Sequence, residues 1–156
     1  VAEQQRKEIK VEGAASGSRK KILIVDDNED SRGLVIKVLT RLGYIMIEAA
    51  DGEEALTRAL EEQPDLILMD RSLPKMDGLE VTRRLKREEA FKNVPIVALT
   101  AHAMRGDMEK ALAAGCQGYI AKPINVRVLP EQILSYLEGK GGSLTGGEKE
   151  QNPDRR

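Results

Sequence analysis

Short, wholly apolar runs alternate along this chain with longer stretches in which apolar residues recur at helical spacing. Ile22-Leu23-Ile24-Val25 is the first run, and Leu34, Val35, Val38, Leu39 and Leu42 follow on one helical face. Tyr44 to Ile47 reads as a second strand. Asp51-Gly52-Glu53-Glu54 has the chemistry of an N-cap, opening a helix with Ala55, Leu56, Ala59 and Leu60 on one face. Leu66-Ile67-Leu68-Met69 is a third strand, followed by a helix from Leu79 to about Glu89 with Leu79 and Leu85 inward. Pro95 to Leu99 gives a fourth strand. Met104, Met108, Ala111 and Leu112 then mark a helix closed by Gly115. Tyr119-Ile120-Ala121 is a fifth strand, and Leu129, Ile133, Tyr136 and Leu137 define a fifth helix. Strands that are apolar throughout, each followed by an amphipathic helix, predict a parallel sheet covered on both faces. Five such units predict an α/β fold with a doubly wound, five-stranded sheet and five flanking helices.

The pattern stops at both ends. Residues 1–19 are polar and finish in a Gly/Ala/Ser stretch, and the last residues are glycine-rich without apolar periodicity. The expectation is a flexible extension over 1–19, one domain over 20–139 and a flexible tail over 140–156. A chain of 156 residues suits one domain with its own core. Neither extension has room for a helix-turn-helix. The net charge of −1 gives no global field toward nucleic acid or an anionic membrane. No apolar run approaches the roughly 18 residues of a membrane span, and the first residues lack the apolar segment of a secretory signal. The single cysteine, Cys116, excludes an intramolecular disulfide and is expected to be a packed structural residue. Together these features fit a cytoplasmic protein.

The polar residues that follow the strands change the picture. The first strand runs into Asp26-Asp27, the third into Asp70, the fourth into Thr100-Ala101 and the fifth into Lys122-Pro123. In a parallel sheet these ends share one edge, where open α/β sheets bind their ligands. Three carboxylates and one ammonium do not balance. At an effective dielectric near 20, a unit-charge pair at about 4 Å is worth about 4 kcal/mol. Either one carboxyl keeps its proton or a cation sits among them. Mg²⁺, which takes carboxylates together with water and phosphate oxygens, is the natural neutraliser. The plainer alternative, solvated acids capping helices, accounts for single acids better than for three acids and a lysine at matching ends.

The segments ILIVDDNED, PDLILMDRSLPKMDG, PIVALTAHA and GYIAKPI resemble, in order and spacing, the receiver domain of two-component response regulators. The resemblance covers about Lys21 to Glu138. It implies the flavodoxin-like strand order 2-1-3-4-5, which spacing alone does not give. It also implies roles: Asp70 as phosphoacceptor, Asp27, Asp70 and the Ser72 carbonyl as ligands of Mg²⁺, and Asp26 as the acid that holds the metal through water. Lys122 would pair with the phosphoryl group, Thr100 would move to hydrogen-bond it, and Tyr119 would report the switch. The Lys122-Pro123 bond would be cis. The implied donor is a phosphohistidine on a histidine kinase or a histidine phosphotransfer protein, and the output is a changed protein-binding surface met by a downstream protein target. Such a domain is no turnover enzyme and touches neither nucleic acid nor membrane. A receiver fragment of a hybrid histidine kinase is an alternative origin for the same features.

Other readings fit less well. Asp26, Asn28 and Asp30 alternate like a calcium loop, but Ser31 and Lys37 stand where an EF-hand needs its glycine and terminal glutamate. The phosphate-cradling pattern G-x-x-x-x-G-K-[ST] is absent. A Mg²⁺-dependent phosphohydrolase with an aspartyl-phosphate would need an acid two residues after Asp26, where Asn28 stands. A binding module that ignores phosphate would not need the whole set. His102, the sole histidine, falls in a loop rather than on an exposed bundle helix, which disfavours a phosphodonor role. Met104 and Met108 read as helix core.

Overall fold

The computed structural model describes residues 19–101 and 105–139, apart from the side chain of Arg105. The two extensions (Arg19 excepted), together with His102 and Met104, lie outside the described residues. In chain order the elements are β1 (Lys21–Val25), α1 (Glu29–Arg41), β2 (Ile45–Ala49), α2 (Gly52–Glu62), β3 (Leu66–Asp70), α3 (Gly78–Lys86), a 3₁₀ turn (Glu89–Phe91), β4 (Ile96–Thr100), α4 (Arg105–Ala114), β5 (Gly118–Ala121) and α5 (Leu129–Leu137). The strands form one parallel sheet in the order β2-β1-β3-β4-β5, as the resemblance implies.

Alternation of side chains across the strands divides the core in two. Leu23, Val25, Ile67, Met69, Ile96 and Ala98 meet α2, α3 and α4 on one face. Ile22, Ile24, Leu66, Leu68, Val97, Leu99 and Ile120 meet α1 and α5 on the other. β3 and β4 are buried at every position, which explains their uninterrupted apolar runs.

The helices begin where capping chemistry allows. The Asn28 side chain accepts from Ser31 N–H at 2.8 Å, and the Asp51 side chain accepts from Glu54 N–H at 2.8 Å. The Glu54 carboxylate in turn accepts from Ala50 N–H at 2.8 Å, beside the cap it reinforces.

Leu79 and Leu85 face inward as expected. Of the other positions at helical spacing, Val35, Leu39, Ala55, Ala59 and Ala111 are buried, whereas Leu34, Leu42, Leu60 and Leu112 are exposed. Each helix carries an apolar stripe wider than the strip that touches the sheet, and residues at its margin face outward. β2 starts at Ile45, one residue later than expected, and continues to Ala49, because it pairs with β1 from Lys21–Ile45 to Val25–Ala49. Its polar Glu48 is tolerated on an edge strand, where it meets Arg32 at 2.7 Å. α3 ends at Lys86 rather than near Glu89. The Lys86 ammonium reaches forward to the carbonyls of Phe91 at 3.0 Å and Val94 at 2.7 Å, fixing the 3₁₀ turn that buries Phe91. Cys116 is buried as expected, and burial pushes its thiol up to about 11.

Candidate functional site

Backbone hydrogen bonds carry the sheet ladder one step beyond three strand ends. Asp26 N–H donates to Ala49 O at 3.1 Å, Arg71 N–H to Leu99 O at 2.9 Å, and Lys122 N–H to Thr100 O at 2.8 Å. Val25 pairs with Met69, and Thr100 with Ala121, so the residues that follow fall at one level of the carboxyl edge. The site is therefore placed by the sheet and not by its loops.

Oxygens of Asp26, Asp27 and Asp70 lie within 4.8 Å of one another. Asp26 and Asp70 are buried while Asp27 is exposed. Each buried acid is oriented by an N–H two residues on. Asn28 N–H donates to Asp26 Oδ1 at 2.9 Å, and Ser72 N–H donates to Asp70 Oδ1 at 3.1 Å. Their other oxygens face Lys122, whose Nζ lies 3.2 Å from Asp26 Oδ2 and 3.5 Å from Asp70 Oδ2. Asp26 Oδ2 is enclosed, and the Lys122 ammonium is the charged group it faces. Arg32, which donates to the Asp26 carbonyl at 2.8 Å, braces the loop from α1.

The electrostatics follow from this packing. Burial pushes Asp70 up from 3.8 to about 6; Asp26 adds repulsion, while the Ser72 N–H and Lys122 pull the other way. Burial disfavours the Lys122 ammonium, but Asp70 and Asp26 outweigh it and hold its pKa above the ordinary lysine value. One cation thus serves two buried carboxylates, and a third stands at the rim. Hard oxygen donors at this spacing, one of them the enclosed Asp26 Oδ2, fit a divalent cation such as Mg²⁺.

The loop after Asp70 is folded tightly. Gly78 N–H donates to Arg71 O at 3.2 Å, and a side chain at Gly78 would collide with the Asp70 carbonyl. Only glycine lets α3 start this close to Asp70. Lys75 turns the loop at φ 67°. A cleft of about 520 Å³ opens beside the site, lined by Arg71, Ser72, Leu73, Lys75, Asp77, Thr100 and Asp107.

The structure brings Asp26, Asp27, Asp70 and Lys122 together, with Ser72 and Thr100 on the adjoining cleft. Thr100 is buried, and Tyr119 packs, partly buried, against the core on the α2/α3/α4 face. The Lys122-Pro123 bond is cis. Sequence reasoning missed Arg32, Arg71 and Asp107. Arg71 Nη1 donates to Asp107 Oδ1 at 2.8 Å, joining the loop after the candidate phosphoacceptor to the first turn of α4. A pair 36 residues apart in sequence leaves no periodic trace.

Comparison with known proteins agrees with this geometry. Residues 22–134 match the response regulator receiver domain. The polar-differentiation response regulator DivK of Brucella ovis is 47% identical over 118 residues, covering 76% of this chain and 96% of its own. The chemotaxis protein CheY4 of Vibrio cholerae superposes with a TM-score of 0.73 at 32% identity, over 75% of this chain and 98% of its own. The receiver domain of the sensor histidine kinase PA1611 of Pseudomonas aeruginosa, whose structure has a magnesium ion coordinated in the active site cleft, gives a TM-score of 0.70 at 39% identity, over 78% of this chain and 99% of its own. By motif, strand order and site geometry alike, this chain belongs to the response regulator receiver family.

Proposed function

We propose that Asp70 accepts one phosphoryl group from a phosphohistidine on a histidine kinase or histidine phosphotransfer protein, and that the modified domain presents a changed surface to a downstream protein. The observation that carries this reading is the buried Asp70 carboxylate, held by Ser72 N–H and facing Lys122 beside Asp26. A carboxylate oxygen of Asp70 bonds to phosphorus as the phosphorus–nitrogen bond to the donor imidazole breaks. The imidazole keeps the bonding pair, takes up a proton and leaves neutral. Such transfer depends on alignment and charge neutralisation rather than on covalent help from other residues. Lys122 offsets charge on the phosphoryl oxygens. Asp26, Asp27, Asp70 and the Ser72 carbonyl would hold Mg²⁺, which when bound supplies further neutralisation. Thr100 hydrogen-bonds the new phosphoryl group, and Tyr119, on the same face of the sheet, follows it inward.

DivK is matched along nearly its whole chain, which supports a stand-alone regulator. The likeness to a receiver domain of a sensor histidine kinase supports the second origin, a hybrid-kinase fragment with the same chemistry.

Incubation with acetyl phosphate and Mg²⁺, followed by intact-mass measurement, tests the proposal. One phosphoryl group per chain on the wild type and none on Asp70→Asn is expected. Steady hydrolysis of acetyl phosphate without stoichiometric uptake would instead support a phosphohydrolase, and labelling of Asp70→Asn would overturn the assignment.

A further inference from the structure

We infer that Arg71 and Asp107 form an electrostatic latch that holds α4 in place while Asp70 is unmodified and slackens when Asp70 is phosphorylated. The inference rests on the phosphoacceptor reading and adds to it the route by which charge at Asp70 reaches a helix.

The backbone of Arg71 cannot drift. Its N–H is tied to Leu99 O at the end of β4, and its carbonyl accepts from Gly78 N–H at the start of α3. Only its side chain is free to answer a change of charge. That side chain crosses the cleft to Asp107, and both partners are more than three-quarters shielded, at 20% and 23% exposure. Screening by solvent is weaker there than for a fully exposed pair. Asp107 also sits in the first turn of α4, where the helix dipole favours an acid.

α4 has little else to hold it. Its buried apolar residues among those described are Ala111 and Ala114. α3, by contrast, buries Leu79, Val81 and Leu85, and α5 buries Leu129, Ile133 and Tyr136. Alanines bury little area, so an ion pair forms a larger share of the attachment of α4 than of any neighbouring helix. A phosphoryl group on Asp70 replaces a carboxylate of about one negative charge with a bulkier group of about two, next to Arg71. It attracts the guanidinium and repels the Asp107 carboxylate. Both effects have the same sign, and both weaken the pair. The cleft that the pair spans also reaches Ser72 and Thr100, so the latch lies on the side of the site where Thr100 responds.

Hydrogen exchange of the α4 amides in the full chain tests this, using wild type, Arg71→Ala, Asp107→Ala, the double variant and Arg71→Lys, each before and after labelling with acetyl phosphate and Mg²⁺. In unlabelled protein each alanine variant should speed α4 exchange roughly two- to fivefold, the range expected for breaking one partly shielded pair. The double variant should add nothing further, and Arg71→Lys should keep most of the protection. On labelling, wild type should rise toward the alanine variants, which should change much less. Equal increments on labelling in wild type and variants, or unaltered α4 exchange in unlabelled Arg71→Ala, would overturn the latch. Phosphoryl uptake is followed in every sample. Uptake with no loss of the latch contradicts this inference alone, whereas no uptake by wild type contradicts the phosphoacceptor reading as well.

Discussion

The two faces of the sheet are covered by different means. Under α1 and α5 the layer is built from Val35, Leu39, Leu129, Ile133 and Tyr136, all buried. Under α2 and α4 it is built from Ala55, Ala59, Ala111 and Ala114, with α3 supplying the larger Leu79, Val81 and Leu85. Large aliphatic side chains fix a helix through many dispersion contacts, and each buried one is worth about 1.5–3 kcal/mol. Alanines allow close approach but hold weakly. Thr100 falls on the alanine-lined face by alternation from Ala98, and Tyr119 packs there too. On the reading proposed above, α4, on the face where Thr100 would respond, is thus held by smaller buried side chains than α3 or α5.

The contrast is tested most strongly by removing one large residue from the α5 side. Ile133→Ala should cost about 2–5 kcal/mol, read as a lower urea midpoint at unchanged slope. Ala111→Gly in α4 should cost only about 1 kcal/mol, chiefly through backbone entropy. Comparable losses at the two sites would remove the distinction between the faces.

Asp70 gives the next largest effect, with chelator present so that no metal competes. Its carboxyl is raised from 3.8 to about 6 in the folded chain. Between those values the folded state binds a proton that the unfolded state has released, so the stability linked to this proton is complete below the lower value and lost as pH rises through about 6. Asp70→Asn avoids the buried charge. It should therefore be more stable than wild type near neutral pH by about 1–3 kcal/mol, with the gain vanishing below about pH 4. A gain that persisted in acid would show that the charge is not its source.

How much of this was legible in the sequence depends on the kind of signal. β3 and β4 could be read because strands buried on both faces leave uninterrupted apolar runs. The site could be read because parallel strands deliver Asp26, Asp70, Thr100 and Lys122 to one edge whatever their order. Strand order itself came from resemblance. That Leu34 and Leu112 face outward was not legible, because periodicity marks a stripe, whereas contact with the sheet selects only part of it. Arg71 and Asp107 were invisible because their pairing depends on how the loop after Asp70 and the first turn of α4 approach in space.

The smallest effect concerns the loop beside the site. Lys75 holds φ 67°, a conformation that costs a side chain more than it costs glycine. Lys75→Gly should stabilise by about 0.5 kcal/mol, the relief of strain being partly offset by greater unfolded-state entropy. A clear loss of stability, measured by the same denaturation curve, would mean that the Lys75 side chain itself holds the loop.

The central claim is that Asp70 works as one member of a charge cluster and not as a lone acid. The most direct measurement is phosphoryl labelling of wild type, Asp27→Ala and Asp70→Asn by acetyl phosphate, each with Mg²⁺ and with chelator. The account predicts labelling of wild type with Mg²⁺ and almost none in every other sample. Labelling of wild type that survives chelation, or of Asp27→Ala at the wild-type level, would contradict it.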